Sequence, residues 1–245
     1  MTKSNFKKIS LLALSILSFN AAIAQTADEV IAKFEDSIGG KEVLSTVKSY
    51  SYERSYKANA ATDYDEEVSA VIAENKFTRK KSILGRDFFY VLNNNSGWIK
   101  IPMGSRDKAP TYSVKDLNAS ERGALADELA EGLYPFINYS AKGLKLVGSV
   151  KSANIEGKAC YQLSFEKGDS KREYYFDKTT GLLNREVVLE NNITITTDHT
   201  KYSTTAEGLK YPSESNLYST KDKKNTAVTT KLNTAPSFDA AMFVK

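Results

Sequence analysis

Apolar and polar residues alternate through most of the chain from about residue 47 onward. In the segment YQLSFE, at residues 161–166, the apolar side chains fall on one face of a strand and the polar ones on the other. Short turns rich in Asn, Asp and Gly separate such segments, which predicts an antiparallel meander. The predicted strands lie near residues 47–57, 66–73, 76–84, 87–93, 97–101, 143–150, 159–166, 172–177, 182–189, 192–202, 209–219 and 225–234.

Two segments show helical spacing instead of alternation. The first follows Thr26, a residue type that caps helix N-termini, and ends at Gly39-Gly40. Its apolar residues share one helix face: Val30, Ile31, Phe34 and Ile38. The second covers residues 119–139 and is capped by Asn118 or Ser120. Its apolar residues are Leu125, Leu129 and Leu133, then Tyr134, Phe136 and Ile137.

One-sided strands indicate a sheet that is buried on one face and wet on the other. A sheet of about a dozen strands twists and tends to curl. The predicted fold class is therefore α+β and mostly β: a large curved antiparallel sheet, or half-open β-barrel, with the N-terminal helix and the helical insert over its concave face. These helices do not easily fill so wide a concavity, so an apolar cavity is predicted. Alternatively, the 14 Tyr and 11 Phe side chains fill it.

The first 24 residues have the anatomy of a secretory signal peptide. Three lysines precede the apolar run ISLLALSILSF at residues 9–19, and Ala22 and Ala24 form a small-x-small cleavage site. We therefore expect a cleaved signal at 1–24 and a single domain at 25–245, located in the periplasm. No Cys follows the cleavage site, so lipid attachment there is not expected. No apolar run reaches the roughly 18 residues of a membrane span.

Composition removes several classes of chemistry. The chain has one Cys and one His, which excludes a disulfide framework, a Cys-based zinc site and most two-histidine sites. Loss of residues 1–24 removes three lysines and no acidic residue, which lowers the net charge from +4 to +1. That balance does not support binding to nucleic acid. No cofactor and no metal are expected.

Signals for catalysis are weak. His199 would have to be the base of a Ser-His-Asp triad, but its neighbour Asp198 points to the opposite face of a strand, and no serine has a G-x-S-x-G context. No carboxylate pair of the kind that glycosidases use stands out among the 30 acidic residues. The chain is predicted not to be an enzyme. Arg54 and Arg79, both on predicted strands, are interpreted as surface cations.

Four stretches carry a family resemblance. They are VIAKFEDSIGGKEVLSTV at residues 30–47, GWIKIP at 97–102, YYFDKTTGLL at 174–183 and GLKYP at 208–212. Together with the strand pattern over about 26–245, they resemble the LolA/LolB-like outer-membrane lipoprotein-sorting proteins, or lipoprotein carriers, of Bacteroidetes-type bacteria. The resemblance implies a half-open barrel whose helices form a lid over an apolar cavity. Such a cavity shields acyl chains of lipid or lipoprotein, with membrane-associated donor or acceptor proteins as further partners.

The resemblance places the lid in the two helical segments and the cavity walls on the strands. The lid residues would be Phe34, Ile38, Leu125, Leu129, Leu133, Phe136 and Ile137. The wall residues, chosen by alternation and size, would be Phe77, Phe88, Trp98, Leu163, Phe165 and Leu183. The arginine that locks the lid in the carriers has no identified counterpart here.

Three functions remain compatible with the sequence. The favoured one is an exported carrier or sensor that binds lipid or lipidated protein. The second is an envelope interaction protein with a filled core, which binds a partner through its sheet surface or edge. The third is a hydrolase of envelope polymers.

Overall fold

The structure, a computed structural model, describes residues 25–59, 63–105 and 108–245, so the predicted signal peptide lies outside the described residues. Its helices are α1 (Ala27–Ser37), α2 (Gly40–Thr46) and α3 (Ala119–Glu131). Thr26 and Asn118 cap α1 and α3 in reciprocal hydrogen bonds with Glu29 and Glu121, which forms two capping boxes. The insert is helical to 131 and not to 139, because Gly132 takes a positive φ of 62° and ends α3.

Twelve strands correspond to predicted ones, and the described residues contain fourteen in all. They are β1 (Ser49–Lys57), β2 (Tyr64–Val71), β3 (Lys76–Ile83), β4 (Arg86–Asn93), β5 (Ser96–Met103), β6 (Thr111–Asp116), β7 (Lys145–Leu146), β8 (Lys151–Ile155), β9 (Lys158–Lys167), β10 (Ser170–Asp177), β11 (Leu183–Glu190), β12 (Ile193–Thr204), β13 (Lys210–Ser219) and β14 (Lys224–Asn233). Short 3₁₀ turns lie at Ile72–Glu74 and Ala240–Phe243.

All of these strands belong to one antiparallel sheet. Its order is β6-β5-β4-β3-β2-β1-β14-β13-β12-β11-β10-β9-β7, with β8 also paired to β9. The first and last strands of the chain meet in the middle of the sheet, where Arg54 of β1 lies opposite Thr230 of β14. The described strands do not close into a barrel, since β6 and β7 lie at opposite edges. The predicted fold class, a mostly β curved sheet with covering helices, is confirmed.

The core lies on one face of the sheet, called here the inner face, which contacts α1 and α3. A first cluster surrounds Phe34 of α1, whose ring centroid lies 5.1, 5.0 and 5.6 Å from those of Tyr134, Phe136 and Phe176. A second cluster packs α3 against the first strands. Its buried members are Tyr50, Val68, Ala70, Phe77, Leu92, Leu117, Leu125 and Leu129. The helices therefore cover the inner face in two separate places.

Three elements were missed from the sequence. Helix α2 has seven residues and begins beside two glycines with positive φ, so its pattern is too short to show a helical period. Strand β6 lies at an edge with nearly every side chain exposed, so it lacks a buried face and the alternation that goes with one. Strand β8 has five residues and was absorbed into the predicted strand and turn around it.

Candidate ligand-binding cavity

A cavity of about 230 Å³ lies between the inner face and the segment that follows α3. Strands β1, β14, β13, β12 and β11 all line it. In a flat sheet these strands would span roughly 19 Å at the usual spacing of about 4.8 Å, so their convergence on one small cavity makes the sheet concave here. The lining residues are Tyr52, Arg54, Tyr56, Leu133, Tyr134, Pro135, Phe136, Leu183, Glu186, Thr197, His199, Tyr211, Pro212, Ser215, Leu217, Val228, Thr230 and Leu232.

Strand β1 supplies an aromatic and cationic wall. Its even-numbered residues point inward, because side chains alternate along a strand: Tyr50, Tyr52, Arg54 and Tyr56. The Arg54 guanidinium carbon lies 4.2 Å from the centroid of the Tyr52 ring, in cation–π contact. Glu66 and the Tyr56 hydroxyl lie close enough to raise the pKa of Arg54, but no described carboxylate contacts its guanidinium group as an ion pair. Its positive charge therefore faces the cavity with a carboxylate nearby but none in direct contact.

His199 lies on β12, across the cavity from β1. Its Nδ1 atom is 2.9 Å from Ser215 Oγ, while its Nε2 atom is buried and has no hydrogen-bond partner among the described residues. Burial, with the nearby Arg54 charge, lowers the pKa of His199 to about 4. The imidazole is therefore neutral at neutral pH.

This neutral histidine predicts a pH dependence of stability. The pKa of His199 is about 4 in the folded chain against 6.5 for the free side chain, so the unfolded chain binds more protons between these values. The stabilisation is present above pH 6.5 and is lost as the pH falls towards 4, by up to about 3–4 kcal/mol at about 1.4 kcal/mol per pKa unit. Urea unfolding of wild type and His199→Gln across this range measures it. Equal pH slopes for the two proteins would contradict the assignment.

Glu186 lies on β11, opposite Thr197 of β12, and lines the same cavity. It forms no ion pair or hydrogen bond with a described residue. Burial raises the pKa of Glu186, against the opposing effect of Arg172 and Arg54. The carboxyl group therefore favours its protonated form more than an exposed glutamate does.

A second cavity, of about 470 Å³, lies on the other side of Leu133 and Tyr134. Both residues line both cavities. Lys142 fixes this segment, since its Nζ atom donates hydrogen bonds to the carbonyl oxygens of Glu131 and Tyr134 at 2.8 and 2.9 Å. A short, locally bonded segment therefore separates the two cavities.

Ion pairs fix α3 to the sheet from both sides. On one side, Arg79 of β3 pairs with Glu128 of α3 and, at 3.3 Å, with Glu66. On the other side, Glu131 accepts two hydrogen bonds from Arg172 of β10, at 2.8 and 3.0 Å. These contacts are called the α3 ion pairs below.

The interpretation of Arg54 and Arg79 as surface cations is wrong. Both point to the inner face, where Arg79 pairs with Glu128 under α3 and Arg54 lines the cavity. Sequence alternation alone does not say which of the two faces of a strand is buried when charged and aromatic residues share it.

The predicted site residues divide into four groups. Those on the first cavity are Leu133, Phe136 and Leu183. Those on the second are Leu129, Leu133 and Ile137. Those buried in the core clusters away from both cavities are Phe34, Ile38, Leu163, Phe165, Phe77 and Leu125. The structure does not bring the last two, Phe88 and Trp98, to either cavity, and Trp98 lies opposite Val91 on the outer face.

The polar residues of the cavity were missed. The β1 sequence SYSYERSYK alternates small or charged residues with Tyr and Arg, a signal that marks Tyr52, Arg54 and Tyr56 as one face. The sequence did not indicate that Glu186 faces the cavity. A β-bulge where β11 pairs with β10 interrupts the alternation between Leu183 and Glu186, so the two residues share a face although their spacing is odd.

Asp198 and His199 point to opposite faces, as predicted, because Asp198 pairs with Arg185 at 2.8 Å on the outer face. In the described ranges, no group of three or more His, Cys, Asp or Glu side chains is arranged to hold a metal ion. No helix within those same ranges is long and apolar enough to cross a membrane. The thiol of Cys160 is buried, and that burial raises its pKa, which makes it a poor nucleophile.

No protein-family model and no curated protein matches the chain. Among solved structures, it is similar to a putative outer membrane lipoprotein-sorting protein domain from Vibrio parahaemolyticus, with a TM-score of 0.49 and 12% identity over 83% of this chain and 94% of that one. It is also similar to the lipoprotein LppX of Mycobacterium tuberculosis, with a TM-score of 0.34 and 7% identity over 87% of this chain and 100% of that one. A chain of the MucA/MucB complex of Pseudomonas aeruginosa has a TM-score of 0.23 and 11% identity over 80% of this chain and 93% of that one.

Lipoprotein-sorting and lipoprotein chains are among the solved structures to which this chain is similar. The assignment to a Bacteroidetes-type family stays a prediction. Identities of 7 to 12% do not transfer a ligand, so the function of the chain has to follow from its own cavity.

Proposed function

We propose that the protein is a non-enzymatic carrier or sensor that binds the acyl chain of a lipid or lipoprotein in the two cavities beneath the end of α3 and the segment that follows it. The observation that supports this is the pair of neighbouring cavities on the inner face. Leu133 and Tyr134 are the two residues that line both of them. The first cavity has a mixed lining, with Phe136, Leu183 and Leu232 beside polar groups. Burial of each CH₂ group in such a site contributes about 0.8 kcal/mol.

Ligand entry requires the segment around Leu133 to move. The first cavity, at about 230 Å³, is smaller than the roughly 300–1,000 Å³ typical of small-molecule sites. Displacement of Leu133 and Tyr134 would join it to the second cavity of about 470 Å³. The hydrogen bonds of Lys142 hold the segment in its present position and would have to rearrange.

The predicted signal peptide completes the proposal. It places a single domain, residues 25–245, in the periplasm, where acyl chains cross an aqueous space between membranes. The partners proposed with it are membrane-associated donor or acceptor proteins, and no nucleic acid. A lipid in transit needs a dry site because its chain is otherwise exposed to water.

The test is binding by the mature chain and by Leu133→Glu. Native mass spectrometry of protein exported with its own signal should show a discrete added mass that organic extraction removes. The same ligand should rebind wild type and should bind Leu133→Glu at least about tenfold more weakly, because a carboxylate in an apolar site has to be desolvated. Leu189→Glu is the matched control, since Leu189 lies on the outer face and is exposed.

Two results would overturn the proposal. One is a mature chain that carries no amphiphile and takes up none when it is offered. The other is unchanged ligand affinity in a folded Leu133→Glu protein. Either result favours the filled-core interaction protein, for which the exposed edge strand β6 is the available surface.

A further inference from the structure

The first cavity contains two charged side chains, Arg54 and Glu186, among the described residues that line it. Arg54 acts electrostatically on Glu186 and Glu66 acts on Arg54, but no described ion pair brings a carboxylate into direct contact with Arg54. Glu66, which lies opposite Arg54 on β2, raises the pKa of Arg54 but makes its direct ion pair with Arg79. A partly buried charge without a partner costs free energy, so its presence calls for a group that binds there.

Arg54 is positioned to receive an anion. The Tyr52 ring supports one side of its guanidinium group at 4.2 Å, and Tyr56 flanks it on the same face of β1. An arginine on a rigid strand with one stacked face keeps its N–H donors in a fixed fork, which matches the oxygens of a carboxylate or phosphate.

A second donor lies across the cavity. His199 is neutral, and in the tautomer where Ser215 donates to Nδ1, the proton is on Nε2. That Nε2 atom is buried and has no partner among the described residues. Burial raises the pKa of Glu186, although Arg172 and Arg54 oppose the shift, so its carboxyl group repels an anion less than an exposed glutamate does.

We propose that the cavity binds the acidic head group of its amphiphile, with the oxyanion on Arg54 and a hydrogen bond from His199 Nε2. The head group is a carboxylate or a phosphate ester, and the apolar tail runs past Leu133 and Leu183 towards the second cavity. The inference rests on the proposed function and specifies its ligand: an anionic amphiphile, not an uncharged one.

The test compares head groups on one tail. Decanoic acid, decyl phosphate and decanol are offered to the mature protein, and their dissociation constants are measured by competition with a fluorescent acyl probe. We expect at least one anion to bind about tenfold or more tightly than decanol, since a hydrogen bond to a charged group is stronger than one between neutral groups. The tighter anion distinguishes a fatty-acid carboxylate from a phospholipid phosphate.

Variants assign the preference to Arg54. Arg54→Gln should remove the preference for the anions, measured as the ratio of anion to decanol affinity in the same variant, while Arg54→Lys should keep part of it. Arg185→Gln is the matched control, because Arg185 pairs with Asp198 on the outer face and should retain the full preference. Circular dichroism confirms that each variant is folded.

The outcomes separate the two proposals. Equal binding of all three compounds by wild type overturns the head-group assignment and leaves acyl-chain binding in place. An anion preference that survives in folded Arg54→Gln also overturns it. Binding of none of the three overturns the proposed function, and the head-group assignment with it.

Discussion

Phe34→Ala should destabilise the folded chain by about 3–5 kcal/mol, the range measured when a buried aromatic ring is deleted. The Phe34 side chain is fully buried and has edge contacts with three aromatic rings at centroid distances of 5.0 to 5.6 Å. Its removal leaves a void between α1 and the first core cluster that the close-packed rings cannot fill. Chemical unfolding monitored by circular dichroism gives the free energy.

Phe89→Ala is the control for this measurement. Phe89 lies on the outer face of β4, is half-buried, and has one aromatic neighbour, Tyr112, at 5.7 Å. We expect a loss of about 1 kcal/mol there, because most of the removed surface is already near water. Equal losses for the two variants would mean that α1 is not packed as described.

Glu131→Gln should destabilise the chain by about 2–3 kcal/mol, because it leaves the Arg172 and Lys167 charges without their carboxylate. The side chains of Glu131 and Arg172 are 17% and 16% exposed, which places the loss below the roughly 3–5 kcal/mol of a fully buried pair. Asp127→Asn on the same helix is the control. Asp127 is 69% exposed and lies 3.5 Å from Lys167, so its loss should be under about 1 kcal/mol.

The Glu131 effect should depend on pH in a defined direction. Burial raises the pKa of Glu131, but hydrogen bonds from Arg172 and Lys167 outweigh it and hold the pKa below its usual 4.5. A depressed pKa gives stability that is present above 4.5 and lost as the pH falls through the folded value. The difference between wild type and Glu131→Gln should therefore shrink as the solution is acidified. A difference that stays constant to low pH would show that the substitution acts by shape and not by charge.

Local patterns were sufficient for most of the fold. The last predicted strand, 225–234, lies within one residue of β14, Lys224–Asn233, because alternation and a turn at its start define both ends. Strand β6 has no such pattern, since an exposed edge strand is specified by its neighbour β5 and not by its own apolar face. The alternation of apolar and polar residues therefore predicted most strands of the sheet but not its edge strand β6.

The sequence predicted fewer of the cavity residues than of the strands. Leu133, Phe136 and Leu183 were placed at a cavity because size and polarity mark such residues. Arg54 and His199 were not, since their shared environment depends on how β1, β14, β13 and β12 pair. Strand β1 is far from the other three in the sequence, and no local spacing relates the two residues.

The pairing of β1 with β14 has a consequence for assembly. Every other neighbouring pair on the main path through the described sheet joins consecutive strands, apart from the short β7 beside β9. The two halves of the sheet can each grow hairpin by hairpin, whereas the central pair must wait until both ends of the chain are present. Because Arg54 and Val228 lie on opposite sides of that pair, the cavity is complete only once β1 and β14 have paired, and a chain in which β14 is not yet synthesised lacks one of its walls.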